Sequence, residues 1–239
     1  MGTTSTLRGN AVRTTEELVR VIGSLIGTLL ILAVILFVTA GSVMWTRGWW
    51  FLALFTAGTG LASAYIWRTN PELFAVRRSL GVGSKRWDLV LMPMVMVAFS
   101  AVIFIGALDD GRFHWAPQPT SVVAIGTLLF ALAFALETWA QAVNRHFEPT
   151  VRIQTDRDHR VIDTGPYAYV RHPGYIAAVV LGVGMALSLG SAWALVPAGV
   201  LAAVLVVRTM LEDAMLQREL AGYADYARRV RFRWIPHVW

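Results

Sequence analysis

The sequence contains no cysteine, and only 15% of its 239 residues are charged, against roughly 25% in a typical soluble domain. The missing cysteine excludes disulfides, thiolate nucleophiles and metal sites with cysteine ligands. The low charge, together with a hydrophobic content of 56%, excludes an ordinary soluble protein. Strand-like alternation is also lacking, so we expect an all-α fold.

The few charges are grouped along the chain. Apart from Arg47 and Glu137, they fall in a small number of ranges, which are 1–20, 68–88, 109–112, 144–171 and 208–233. Apolar runs separate these ranges, and a run of about 20 apolar residues matches the ~30 Å thickness of a bilayer core. The sequence therefore predicts a polytopic helical membrane protein with little room for a soluble appendage.

Four apolar runs predict four transmembrane segments, at Val21–Val43, Trp49–Trp67, Leu89–Leu108 and Ser121–Val143. The first run exceeds the ~7–15 residues of a signal-peptide core, so we interpret it as a retained anchor. Residues 174–207 then form a run without a charge. This run is too long for one transmembrane helix and too short for two full ones. Leu189-Gly190-Ser191 predicts a tight turn there, and hence a hairpin of two short helices. We expect six segments in all.

The loops predict an orientation. The 68–88 loop carries five basic residues against two acids, whereas 109–119 carries two acids against one arginine; the basic residues are Arg68, Arg77, Arg78, Lys85 and Arg86. Because positive loops stay in the cytoplasm, both termini, the 144–173 segment and the C-terminal tail should face it. This rule also accounts for the net charge of +6 without invoking nucleic acid. We divide the chain into the first four segments, 1–143, and a C-terminal region, 144–239.

The richest candidate segment precedes the predicted hairpin. Pro166 and Pro173 disfavour helix at the residues before them, which predicts a constrained turn over 165–172 and a helix beginning at Pro173. The positive end of that helix, flanked by Arg171 and His172, would hold a carboxylate or a phosphate. Contact of Arg171 with lipid headgroups is an equally open interpretation.

A second candidate lies at the end of the last apolar run. Arg208 and Glu212 are four residues apart and share a helical face. Arginine before glutamate is the less favourable order for a pair that stabilises a helix, so a role beyond helix stabilisation is plausible. Glu212 sits at the membrane edge, where a carboxylate needs a partner or a ligand. The hairpin should return both to Arg171 and His172. The arginines between 228 and 233 favour a membrane-surface helix, which would also suit a lid over the site.

These motifs resemble the isoprenylcysteine carboxyl methyltransferase family, which is itself similar to the phospholipid methyltransferases. The resemblance covers roughly residues 140–239 and rests on Gly165-Pro166-Tyr167, Val170-Arg171-His172-Pro173 to Tyr175, Arg208 with Glu212-Asp213, Gly222-Tyr223 to Tyr226, and 230–236. It implies transfer of a methyl group from S-adenosylmethionine to a lipophilic acceptor that enters from the bilayer. A carboxyl O-methyltransferase is the expected type, with no metal required.

The resemblance also implies residue roles. It assigns cofactor binding to Tyr167, Arg171, His172, Pro173, Tyr175 and Glu212, and catalysis to Glu212, Arg208 and Arg171. Two departures, Ala177 where glycine is common and Asp213 where a second glutamate is common, bear more on the acceptor than on the cofactor. The acceptor stays open among a prenylcysteine, an isoprenoid acid, a phospholipid and a thiol.

Two other functions remain as alternatives. One is an NADPH-dependent membrane enzyme similar to sterol reductases. The other is a non-enzymatic scaffold or small transporter. A transporter should place polar groups near the middle of the bilayer, whereas this sequence concentrates them at one interface, which argues against transport.

Overall fold

The computed structural model describes the backbone of residues 3–76 and 83–239 and the side chains of 19–74 and 83–239. Arg77 and Arg78, which entered the orientation argument, lie outside the described residues. The described part contains helices and no strand. The helices are α1 (Thr3–Ala40), α2 (Thr46–Thr69), α3 (Glu72–Val76), α4 (Asp88–Gly106), α5 (Thr120–Val143), α6 (Pro173–Ser188), α7 (Leu195–Glu219) and α8 (Tyr223–Arg229). The all-α prediction is confirmed for these ranges.

Five segments are long and apolar enough to cross a membrane: Val19–Ala40, Thr46–Thr69, Asp88–Phe113, Thr120–Val143 and Leu195–Glu219. The shorter apolar helix Pro173–Ser188 is α6. The predicted turn between α6 and α7 is confirmed, because α6 ends at Ser188 and Gly190 adopts a φ of +77°. The prediction of two short helices is wrong for the second. α7 has 25 residues, since it continues through the charged positions after Val207, where partners on other elements compensate Arg208 and Asp213.

Glycines allow close packing inside the bundle. A Cβ on Gly184 of α6 would lie 2.5 Å from the backbone nitrogen of Phe130 on α5, and one on Gly126 of α5 would lie 2.3 Å from that of Ser188. Only glycine permits this approach, so α5 and α6 are in near backbone contact. Gly182 similarly faces Leu201 of α7. Gly182 and Gly184 therefore both allow close packing of α6 against its neighbours.

Buried polar contacts fasten the end of the bundle that holds the α6–α7 turn. A π-helical segment, Ala107–Phe113, extends α4 there and carries two buried acids. Asp109 accepts hydrogen bonds from Ser191 Oγ at 2.6 Å and from Ala116 N at 2.9 Å. Asp110 accepts from Trp45 Nε1 at 2.7 Å and pairs with Arg47. These contacts join α2, α4 and the hairpin turn, and leave the opposite end for the loop 144–172.

Candidate active site

A cavity of about 350 Å³ lies where α4 and α6 begin and α5 ends. Its volume is within the ~300–1,000 Å³ range of small-molecule sites. The lining from α4, α6 and α7 includes the apolar residues Met92, Val95, Ala178 and Leu205. We call the lining from the loop 144–162 and α8 the polar wall, because most of its side chains are polar. The cavity therefore offers both apolar and polar groups to a ligand.

Asp213 on α7 organises the polar groups beside α6. Its carboxylate is fully buried and receives Arg171 Nε at 2.8 Å and Arg171 Nη2 at 2.9 Å, a two-pronged pair. Tyr223 of α8 donates to it at 3.0 Å and Arg233 at 3.1 Å. His172 Nε2 lies 3.3 Å away. Two cations thus surround one carboxylate, which leaves an excess of positive charge next to His172.

The C-terminal tail is packed onto this cluster. The backbone N–H groups of Arg171 and His172 donate to the carbonyls of Phe232 and Arg233, each at 2.9 Å. Arg171 Nη1 donates to two further tail carbonyls, those of Val230 and Arg231, at 2.8 Å each. The tail is therefore an irregular strap held by the start of α6, whereas the sequence favoured a surface helix; only Tyr223–Arg229 is helical.

The carboxylate of Glu212 differs in its partners from the buried acids Asp88 and Asp213. Its carboxylate accepts a short hydrogen bond from the Tyr175 hydroxyl, and the ring of Tyr175 is stacked on that of His172, with centroids 5.6 Å apart and planes 4° from parallel. Asp88 and Asp213 are each paired with an arginine, whereas the described residues give Glu212 no ion pair. A half-buried carboxylate in a cavity, without a paired cation, is suited to bind a cationic ligand.

Arg208 reaches across to α4. Its Nε and Nη2 donate to the carboxylate of Asp88 at 2.7 Å and 3.1 Å, and Nη2 also donates to the carbonyl of Pro149 at 2.6 Å. Its guanidinium lies 5.3 Å from the centre of the Tyr175 ring. Arg208 and Asp88 are both buried, and Arg208 lines the cavity, so the pair fixes the position of Arg208 in the cavity wall.

Amide and phenol groups hold the polar wall in place. Asn144 Nδ2 donates to the hydroxyl of Tyr167 at 3.0 Å, while the hydroxyl of Tyr226 donates to the Tyr167 carbonyl at 2.7 Å. Burial raises the pKa of the Tyr167 phenol, so it stays protonated at neutral pH. Asn70 at the end of α2 donates to the carbonyls of Gln141 and Asn144. The turn 165–168, which the prolines predicted, is thereby anchored to α5 and α8.

Two neutral histidines line the same wall. His146 and His159 have ring centroids 4.5 Å apart. Burial lowers the pKa of both, that of His159 to about 4, with the charge of His146 as a further cause for His159. His146 Nε2 faces the Arg160 backbone N–H at 3.3 Å, and His159 Nδ1 faces the Gln154 N–H at 3.3 Å. A proton on either nitrogen would oppose these donors, so both rings are neutral at pH 7.

This arrangement can be compared with known families. The model of the isoprenylcysteine carboxyl methyltransferase (ICMT) family matches residues 123–218. This part of the chain is similar to the ICMT family and contains all of α6 and nearly all of α5 and α7. It therefore includes the segments that carry Glu137, Arg171, His172, Tyr175, Arg208 and Glu212. No curated protein matches the chain. The ICMT domain indicates a membrane methyltransferase.

The cavity brings together the residues that the sequence singled out, with one exception. Its lining includes Tyr167, Arg171, His172, Tyr175, Arg208 and Glu212. Pro173 is buried as the first residue of α6 and is not in the lining. Glu137 of α5 also lines the cavity.

Other functional positions were missed by the sequence reasoning. Asp88 was counted only as a loop charge, although an acid at the edge of an apolar run needs a partner and so carried a signal. Asn144, Gln154 and His159 have no such signal, because only the folded loop places them on the wall. With Met92 of α4 and Glu137 of α5, the lining also crosses the predicted division at residue 143.

Proposed function

We propose that the protein transfers a methyl group from S-adenosylmethionine to a lipophilic acceptor, and that a carboxylate is the group methylated. The observation that carries this proposal is the cavity itself. Its lining combines the carboxylate of Glu212, which has no ion pair with the described residues, with polar side chains from the loop and apolar side chains from membrane helices. A polar cofactor and an apolar acceptor have to meet in such a site.

The chemistry of the donor groups fits the cofactor. Its amino-acid end is zwitterionic and its nucleoside end is rich in hydrogen-bonding groups. Glu212 suits the ammonium group, and the excess positive charge around Asp213, next to His172 and the start of α6, suits the carboxylate. Gln154 and the neutral His159, both on the polar wall, carry groups that can form hydrogen bonds. Tyr167 and Tyr175 would complete the binding set, with Pro173 fixing the start of α6.

S-adenosylmethionine would supply an already activated methyl group on a sulfonium. The protein then has to orient the acceptor and exclude water, and proximity accounts for much of the acceleration. A carboxylate acceptor needs no general base. Arg208 is suited to orient it, because its Nη1 makes no hydrogen bond with the described residues. Arg171 has Nε, Nη1 and Nη2 engaged by Asp213 and the tail, so its contribution is the positive field of the cluster.

The orientation of the site belongs to the same proposal. The polar wall, α8 and the tail lie at the end of the bundle where α2 ends and α4 begins. The loop between α2 and α4 is the basic one, so the positive-inside rule puts this end, with both termini, in the cytoplasm. The cofactor would enter from the cytoplasm and the acceptor from the bilayer.

Binding of S-adenosylhomocysteine to purified protein, measured by calorimetry, tests the proposal. Glu212→Gln should weaken binding by roughly ten-fold to a hundred-fold, since a hydrogen bond to a charged group is worth about 1.5–3 kcal/mol. His172→Ala should also weaken it, because the ring supports Tyr175. The matched control is Glu219→Gln, an exposed acid on the same helix that pairs with Lys85, and it should bind normally. Equal binding by wild type and Glu212→Gln would contradict the assignment, as would stabilisation by NADPH alone.

A further inference from the structure

Asp88 is a fully buried carboxylate at the first position of α4, outside the residues that match the ICMT family model. It accepts two hydrogen bonds from Arg208 and a third, at 2.7 Å, from the backbone N–H of Val151. Two elements are thus tied to one side chain, the helix that carries Glu212 and the loop that forms the polar wall. A buried carboxylate with three donors is a fixed structural point.

Arg208 has a second carboxylate nearby on its own helix. Glu212 lies four residues further along α7, and side chains at this spacing share a helical face and can pair. The guanidinium also lies over the ring of Tyr175, whose hydroxyl donates to Glu212. Arg208 nevertheless pairs with Asp88 on another helix and not with its neighbour on α7.

We propose that Asp88 is a positioning residue that holds Arg208 away from Glu212 and so keeps the Glu212 carboxylate available to a cationic ligand group. Without the charge of Asp88, the guanidinium would turn to Glu212, since a buried arginine left unpaired is strongly unfavourable. The ligand group would be the ammonium of the cofactor, and this part of the inference rests on the proposed function.

Two ligands separate this role from a general loss of structure. Asp88→Asn should weaken binding of S-adenosylhomocysteine by about ten-fold or more, because Arg208 then competes with the ammonium for Glu212. Binding of methylthioadenosine, which lacks the amino-acid part, should stay within about three-fold of wild type. The matched control is Asp109→Asn, which changes an equally buried acid at the other end of the bundle and should leave both affinities unchanged. An equal loss for both ligands, or none for S-adenosylhomocysteine, would overturn the proposal.

If Asp88→Asn does not fold, the comparison moves to a background without the arginine. Arg208→Gln and the double variant Asp88→Asn/Arg208→Gln should bind S-adenosylhomocysteine equally, because the charge of Asp88 affects Glu212 only through Arg208 and asparagine can still accept the hydrogen bond from Val151 N. A difference of about ten-fold or more between them would overturn the proposal.

A thermal measurement without ligand tests the same rearrangement. In the wild type the described residues give Glu212 no ion pair to lose, whereas in Asp88→Asn it should have acquired Arg208. Glu212→Gln should therefore lower the melting temperature of Asp88→Asn by about 2 °C or more beyond its effect on the wild type. If the two substitutions had additive effects on the melting temperature, the proposal would be overturned. Should the wild type bind neither ligand, the proposed function fails, and this cycle alone decides the role of Asp88.

Discussion

The cluster around Asp213 makes a quantitative prediction about stability. Asp213→Asn keeps the shape of the side chain but removes the charge that compensates Arg171 and Arg233. The side chains of Arg171 and Asp213 are only 5% and 1% exposed, so their pair is a buried one. Removing one partner of a buried pair costs about 3–5 kcal/mol. Arg233 is 32% exposed, and solvent screening leaves its pair about 0–1 kcal/mol.

The total of about 3–6 kcal/mol corresponds to a fall in melting temperature of about 6–24 °C, at ~2–4 °C per kcal/mol for a chain of this size. Thermal unfolding of the purified protein, followed by intrinsic tryptophan fluorescence, measures it. Asp225→Asn is the matched control, because Asp225 pairs with Arg228 on the exposed face of α8 and its loss should change stability by no more than about 0.5 kcal/mol. If Asp213→Asn unfolded within about 2 °C of the wild type, the buried pair would not hold the tail and α6 together as described.

Two further predictions concern the polar wall and the helix packing. The free energy of unfolding should fall as the pH drops from about 6.5 to about 4, because the unfolded chain then binds a proton at His159 that the folded protein does not. His159→Gln should therefore flatten this part of a plot of melting temperature against pH. An unchanged slope would show that His159 is not held neutral. Gly126→Ala should destabilise the protein by about 1–3 kcal/mol, since the new Cβ would meet the backbone of Ser188. The control is Gly199→Ala on α7, whose Cβ would meet nothing within 4 Å and which should leave stability unchanged. Equal melting temperatures of the two variants would contradict the close packing of α5 and α6.

Much of the fold follows from the distribution of charge, because burial in a bilayer requires uncharged helices of a given length. The turn at Gly190 was also predictable, since a 34-residue apolar run must be interrupted and glycine accepts the positive φ that the turn requires. The length of α7 was not predictable from the sequence. Arg208 and Asp213 look like the end of a membrane helix in the sequence, and only the carboxylate of Asp88 and the guanidinium of Arg171 show why the helix continues past them.

The candidate site was predictable where a motif forces its residues together. The hairpin returns Glu212 to His172, and the contact through Tyr175 agrees with that reasoning. The partners of the arginines were not predictable, because Asp88 lies 120 positions before Arg208. Long-range pairing between buried charges depends on which helices pack together, and hydropathy does not encode this.

Transfer of labelled methyl groups tests the central claim most directly. The purified protein would be incubated in its native lipid extract with S-adenosylmethionine carrying an isotopically labelled methyl group, and the organic phase would be analysed by mass spectrometry. The account predicts a labelled, lipid-soluble methyl ester that Glu212→Gln fails to form and Glu219→Gln forms normally. A label found only in water-soluble products, or equal labelling by both variants, would contradict it.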